Sequence, residues 1–327
     1  MSRQVSRRAV SRALAGAMAA PAIIGHANAQ ALTIRFANSS GEQALSNLFA
    51  ARFLRMLEER TSGAIKGQLL LNAGSEQSIL ESISVGTMDI ANTGYSGMRE
   101  LDVFYVPFLM RDLDHALRIS RSPLFEKARG VAQARYKARL IGLGSSGSFN
   151  VGTKEKIGGW KDLAGMKIRV PPFEAYTEAA KALSISATPV PFNEVYLALQ
   201  QNLVAGLITL VNVMLASRFN EVCKHVVSND FGVGTEKFWC SERCWNRMSP
   251  QQRDIFVGLF NEIVGEHYFG AAKRQAAEDF KLWEQRNGAG TVLTLDSAEL
   301  SKIMQPVGER LANEVYGPGA YQQIQAL

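Results

Sequence analysis

Gly165-Met166-Lys167-Ile168-Arg169-Val170-Pro171 and, further on, Pro191-Phe192-Asn193-Glu194-Val195-Tyr196-Leu197-Ala198-Leu199-Gln200 decide how this chain is read. Ile168 and Val170 alternate with Lys167 and Arg169, a period of two that predicts a short strand, and Pro171-Pro172 stops it. Arg169 therefore stands at the carboxyl end of a strand, and nothing near it in sequence neutralises its charge. In open α/β sheets ligands bind at that end, and a planar guanidinium with five donors suits a carboxylate held bidentately. A structural ion pair is the other reading these residues allow.

Outward from this strand, short β patterns alternate with helical ones, which argues for α/β architecture. Leu32 to Ala37 reads as a strand, and Ala44 to Arg60 as a helix with Leu45, Leu48, Phe49, Phe53 and Leu57 on its apolar face. Further strands are expected at Gly67 to Leu71, Met88 to Ala91 and Leu140 to Gly144, with helices at Ser78 to Val85, Asp114 to Ser120 and Pro123 to Tyr136. Gly142-x-Gly144-x-x-Gly147 has the spacing of a dinucleotide fingerprint, but no helix opens after it to receive a pyrophosphate. The better reading is a glycine-permissive strand crossing between two lobes. Past it, Trp160 to Leu163 is a turn, Met166 to Val170 and Ala187 to Pro189 are strands, and Phe173 to Leu183 is a helix. The segment opening at Phe192 reads as a helix with Val195, Leu199 and Leu203 inward, and Val204 to Val211 as a strand ending near Thr209 and Asn212. Ser249-Pro250-Gln251-Gln252 carries a Ser N-cap, Pro at N1 and Gln at N3. The helix it starts has no proline before Arg286 and would be about 55 Å long at 1.5 Å per residue. Two helices broken near Gly265 or Gly270 are the alternative; Asn287-Gly288 supplies the stop.

The pattern GxKxRVP followed by PxFxEVYxALQ resembles the solute-binding proteins of tripartite ATP-independent periplasmic (TRAP) transporters, the DctP-like family. The resemblance extends to Ala73-Gly74-Ser75-Glu76, Gly86-Thr87-Met88-Asp89, Pro107-Phe108-Leu109 and the stretch from Trp245 to Met248-Ser249-Pro250. It implies a two-lobed periplasmic binding protein (Venus-flytrap) fold, braced by a long helix that spans both lobes. The expected division is a signal at residues 1–29, lobe I at 30–149 plus 234–270, and lobe II at 150–233 plus 271–327. The resemblance also implies small-molecule carboxylate capture, TRAP membrane subunits as partners, no cofactor and no enzymatic step.

Carried over residue by residue, the resemblance puts Arg169 on the ligand carboxylate and Phe192 against the ligand, although Phe192 also fits a core aromatic at a helix start. Thr209 stands where many members have an amide, in Val204-Ala205-Gly206-Leu207-Ile208-Thr209-Leu210, and Phe149 stands where many have a second arginine. Asn92-Thr93-Gly94-Tyr95-Ser96 offers hydroxyls, an amide and a phenol, so the first lobe is expected to be bare of charge, with Arg99 as a residue that can reach in. The expected ligand-binding set is Arg169, Phe192, Phe149, Thr209, Tyr95, Asn212 and Glu76. Burying an unpaired charge is expensive. One arginine therefore predicts a ligand with one carboxylate, a keto, hydroxy or aromatic acid rather than a C4-dicarboxylate.

Composition narrows the compartment and the partners. Ser6-Arg7-Arg8-Ala9-Val10, the apolar run Ala13 to Ile24 and Ala27-Asn28-Ala29 read as a twin-arginine export signal cleaved before Gln30. That run is roughly a dozen residues, short of the about 20 a membrane anchor needs. Without the signal's four arginines the charge drops from +6 to +2, with 32 basic and 30 acidic side chains. No basic patch with interleaved aromatics suggests nucleic acid. Cys223, Cys240 and Cys244 are an odd set for an oxidising compartment, which predicts one disulfide and one free thiol, Cys240 and Cys244 being the nearer pair. His115, His225 and His267 have no metal-ligand spacing, so no metal site is expected. A monomer is the expected state. Two other classes share these features. An exported ligand-sensing protein would have the same cleft, while an exported α/β enzyme would need a nucleophile or acid–base pair that the sequence does not display.

Overall fold

The computed structural model describes residues 31–327; the expected export signal lies outside them. Ten strands are described: β1 Leu32–Ala37, β2 Ile65–Leu70, β3 Ile90–Thr93, β4 Ala138–Thr153, β5 Lys167–Val170, β6 Ser186–Pro189, β7 Gly206–Leu210, β8 His225–Val227, β9 Val233–Ser241 and β10 Val292–Leu293. They are ordered β2-β1-β3-β9-β4-β7-β5-β6, with β8 pairing both β4 and β10. β1 is parallel to β2 and β3, and β5 to β6 and β7, whereas β9 and β4 run antiparallel to their neighbours. The result is a two-lobed α/β fold, with β2-β1-β3-β9 on one side of β4 and β7-β5-β6 on the other.

β4 belongs to both lobes. Its first part pairs with β9 as far as Ser148 opposite Val233, and from Phe149 opposite Leu210 onward it pairs with β7. The glycines within it serve packing. A Cβ on Gly142 would meet the Phe260 ring at 2.3 Å, and one on Gly144 would meet the Tyr268 ring at 2.0 Å. Gly147, at φ +128°, takes a conformation that L side chains rarely adopt, at the point where the strand passes between lobes. The fingerprint spacing thus lies inside a strand, and no helix opens after it.

The capping box at Ser249 and Gln252 starts a helix at Pro250 that runs to Val264, passes through a π-helical turn at Gly265–Phe269, and continues as Gly270–Asn287. Gly265 and Gly270 keep right-handed helical torsions, so the path continues through both of the suspected break points. Phe256, Leu259 and Phe260 enter the larger apolar core, and Trp283 enters the smaller one with Val195, Leu199, Leu207 and Met214. One helical path therefore joins both cores. The chain then returns to the first lobe: Tyr316 Oη donates to Glu100 O, the His115 ring lies 2.8 Å from Ile324 O, and Gln325 Nε2 donates to Leu109 O at 2.9 Å.

Four local expectations are corrected. Leu48 is 51% exposed because the buried face of the Leu45–Arg60 helix is carried by Leu45, Phe49, Phe53, Leu54 and Leu57. Leu203 is 55% exposed, since the helix after Phe192 ends at Gln200 and its pattern does not reach that far. The strand before Asn212 ends at Leu210, which puts Asn212 in a short helix, Val211–Ala216. All three cysteines are buried free thiols, without the expected disulfide. Cys223 sits in the smaller core, away from the other two, and Cys240 Sγ donates to Ser241 O at 3.6 Å as the strand turns into the helix carrying Cys244.

Candidate ligand-binding site

A cavity of about 240 Å³ lies between the lobes, at the carboxyl ends of β1, β3, β5 and β7. β5 ends at Val170, and Pro171 and Pro172 turn the chain along the cavity wall, which leaves Arg169 at its edge. Arg169 is 3% exposed. Its Nε donates to Val190 O at 2.9 Å and its Nη1 to Ile208 O at 3.2 Å. Two carbonyls therefore fix the plane of the guanidinium, but neither neutralises it. Among the described ion pairs none involves Arg169, so the structural salt bridge is not formed. Burial pulls its pKa down to about 10, with the Glu76 charge opposing. It stays cationic at neutral pH and lacks a counter-ion.

Six of the seven expected residues meet here: Arg169, Phe192, Phe149, Thr209, Tyr95 and Glu76. Glu76 opens a helix capped by Ser75, and its two carboxylate oxygens accept from Gly94 N at 2.6 Å and Tyr95 N at 3.0 Å. That clamp fixes the loop after β3. Asn212 is not among the lining residues. Its Nδ2 donates to Ser146 O at 2.7 Å, and it lines a separate cavity of about 250 Å³ with Gly147, Asp230 and Asp279. The one lysine of that cavity, Lys273, is already paired with Asp114 at 2.5 Å. Arg99 also stays out of the cleft, holding Glu174 at 2.7 Å and Glu314 at 2.9 Å on the surface.

The aromatic wall is larger than Phe149, Phe192 and Tyr95. Phe173 stacks on Tyr105 at 4.9 Å and on Tyr95 at 5.9 Å, and Phe149 meets Tyr105 edge-on at 5.7 Å. Pro171-Pro172-Phe173 was the available signal, since a stopped strand delivers the next side chain to the same end of the sheet.

Asn92-Thr93-Gly94-Tyr95-Ser96 is uncharged, but the first lobe is not bare of charge, because Glu236 joins the expected Glu76. Glu76 and Glu236 both line the cavity. Glu236 is held by Ser146 Oγ at 2.7 Å and Tyr268 Oη at 2.5 Å, and burial raises its pKa. Below the aromatic floor, Lys237 Nζ donates to Gly94 O at 2.7 Å and to Tyr105 Oη at 2.6 Å. Burial lowers the Lys237 pKa to about 8, and burial raises that of the facing Asp102 to about 6, with Lys237 opposing. Glu236-Lys237 inside the otherwise uncharged Val233–Ser241 run was a readable sign of this. Asn38, just past β1, also lines the cavity; it is 2% exposed and its Nδ2 has no partner among the described residues.

Comparison with known proteins agrees with the two-lobed fold. The sialic acid-binding periplasmic protein SiaP of Vibrio cholerae is 27% identical over 269 residues, 80% of this chain and 83% of that protein. A TRAP periplasmic solute-binding protein of Pseudomonas putida F1 with bound D-glucuronate superposes with a TM-score of 0.82 at 20% identity, covering 90% of this chain and 97% of that one. One from Haemophilus influenzae with bound L-gulonate gives 0.80 at 20% identity, covering 90% and 99%. The model of bacterial extracellular solute-binding proteins, family 7, matches residues 36–315. With that match across nearly the whole described chain, and a two-lobed fold around a cleft that holds one buried guanidinium, the chain belongs to the DctP family of bacterial extracellular solute-binding proteins.

Proposed function

We propose that the chain captures a hydroxylated monocarboxylate between its lobes, with Arg169 on the carboxylate, and delivers it in the periplasm to TRAP membrane subunits. The observation that carries this reading is the Arg169 guanidinium, buried and oriented by two carbonyls yet without an acidic partner. A buried charge costs several kcal/mol unless it is compensated, so a carboxylate arriving from solution has a prepared place. One such cation matches one carboxylate. A second carboxylate would face Glu76 and Glu236, which repel it and instead accept hydrogen bonds from hydroxyls. The free amide of Asn38 adds a donor, and the Tyr95, Tyr105 and Phe173 rings cover carbon-bound hydrogen.

The lobes in this reading are 30–149 plus 234–270 and 150–233 plus 271–327, except that the last residues, from Tyr316, pack back on the first lobe; the lobes close on ligand after export by the twin-arginine route. Closure without a chemical step needs only that the ligand contacts be better in the closed state, which the membrane subunits then recognise. The acids named for SiaP and for the two solved neighbours each carry a single carboxylate, which agrees with this class. Calorimetry with purified protein tests it on D-glucuronate, L-gulonate, neutral glucose and succinate. The sugar acids are expected to bind, glucose not to bind, and succinate to bind at least roughly tenfold more weakly, about 1.4 kcal/mol. Succinate binding more tightly than every sugar acid would contradict the proposal.

A further inference from the structure

Tyr176 lies in the first turns of the Glu174–Ala182 helix, directly after the strand that carries Arg169. It is fully buried, yet its hydroxyl has no hydrogen-bond partner among the described residues. Buried polar groups are nearly always paired, and a stranded hydroxyl costs free energy that an arriving partner can recover. Its ring packs 5.0 Å from Phe149, 5.8 Å from Tyr105 and 6.1 Å from Phe173, three residues that line the ligand cavity. The other phenol in this group is committed, because Tyr105 Oη has the main-chain oxygens of Gly94 and Thr235 in reach of its one proton and accepts from Lys237 Nζ.

The Arg169 side chain has a matching vacancy: Nε and Nη1 are bonded to carbonyls, and no described hydrogen bond uses Nη2. The field of Arg169 also reaches the phenol, favouring its ionised form against the burial that opposes it. A carboxylate has two oxygens and about four acceptor sites. We propose that the Tyr176 hydroxyl is the second donor to the ligand carboxylate, so that guanidinium and phenol together form the acid-recognising end of the cleft. The proposal rests on the carboxylate reading of Arg169 and assigns a specificity residue to it. A phenol donates a stronger, charge-assisted hydrogen bond to a carboxylate than to a neutral oxygen, so the pair selects acids over neutral compounds more strongly than Arg169 would alone.

Tyr176→Phe tests this, since it removes one oxygen and keeps the ring. Two readings are taken: thermal unfolding without ligand, and calorimetry with D-glucuronate and L-gulonate. The variant is expected to be as stable as the parent or more so when free, and to bind the sugar acid roughly tenfold to a hundredfold more weakly. Unchanged affinity would overturn the proposal while leaving the Arg169 reading intact. So would a free variant with a markedly lower melting temperature, which would mean that the hydroxyl already has a structural partner. If the parent binds neither acid, the carboxylate reading fails in this form and takes the Tyr176 proposal with it.

Discussion

Burial acts on Arg169 and on Asp279 through the same physics and with different consequences. Both lose water, but Arg169 remains cationic at neutral pH while Asp279 is moved into the neutral range of titration, its pKa raised to about 6 by burial with Gln275 opposing. Asp279 is 6% exposed and shares its cavity with Asp112, Asp230 and the paired Lys273. Its folded pKa exceeds the unfolded one, so its favourable contribution is complete below about pH 4 and is lost as pH rises through about 6. Asp279→Asn is therefore expected to be more stable than the parent at pH 7, by about 1 kcal/mol once solvent screening at the cavity is allowed for. The advantage should vanish near pH 4; urea unfolding at both pH values checks it, and an equal difference at both would contradict it. At this scale the sequence was most readable where a backbone constraint surrounds the residue. The strand pattern and the proline stop locate Arg169, whereas Asn212 depended on where a strand ended, and an end one residue earlier than expected put it in a short helix and in another cavity. Tyr176 and Asn38 gave no sequence signal, because an unpaired donor is visible only once all its neighbours are in place.

Elements were legible in proportion to the strength of their period. β1 and the Pro123–Tyr136 helix have the expected bounds, and the long helix keeps its path. The π turn at Gly265–Phe269 was not legible as such, because glycine in a helix weakens it without saying whether the helix breaks or bulges. What the bulge accomplishes is visible in packing: Tyr268 stacks on Phe49 at 4.7 Å and reaches Glu236 at the cavity wall. β4 depends on that ring, since Gly144 leaves the space it occupies. Gly144→Ala is expected to destabilise the protein by about 1–3 kcal/mol through overpacking, because Tyr268 is fully buried and cannot swing away. Denaturant unfolding reads this directly. A loss below about 0.5 kcal/mol, within the range of an ordinary surface change, would show that the strand and the helix adjust more freely than the geometry implies.

For the whole molecule, the two-lobed architecture follows from strands that fill two sheets while sharing β4, and from a helix that enters both cores. The sequence carried the alternation and the long helix. It carried Glu76 and, in Glu236-Lys237, a sign of further charge, but not their meeting on one wall, because the two acids are far apart in the chain and come together only through the pairing of β3 with β9. The cleft is consequently more polar than the sequence suggested, with an aromatic wall, an acidic wall and one unpaired guanidinium. Ligand that binds only the folded closed state stabilises it, by about 2.7 kcal/mol at 100 times its dissociation constant. The most direct test is thus the melting-temperature increase produced by saturating sugar acid in the parent and in Arg169→Ala. The account predicts a clear increase in the parent and none in the variant, whose own fold should survive, and an equal increase in both would contradict the assignment of the carboxylate to Arg169.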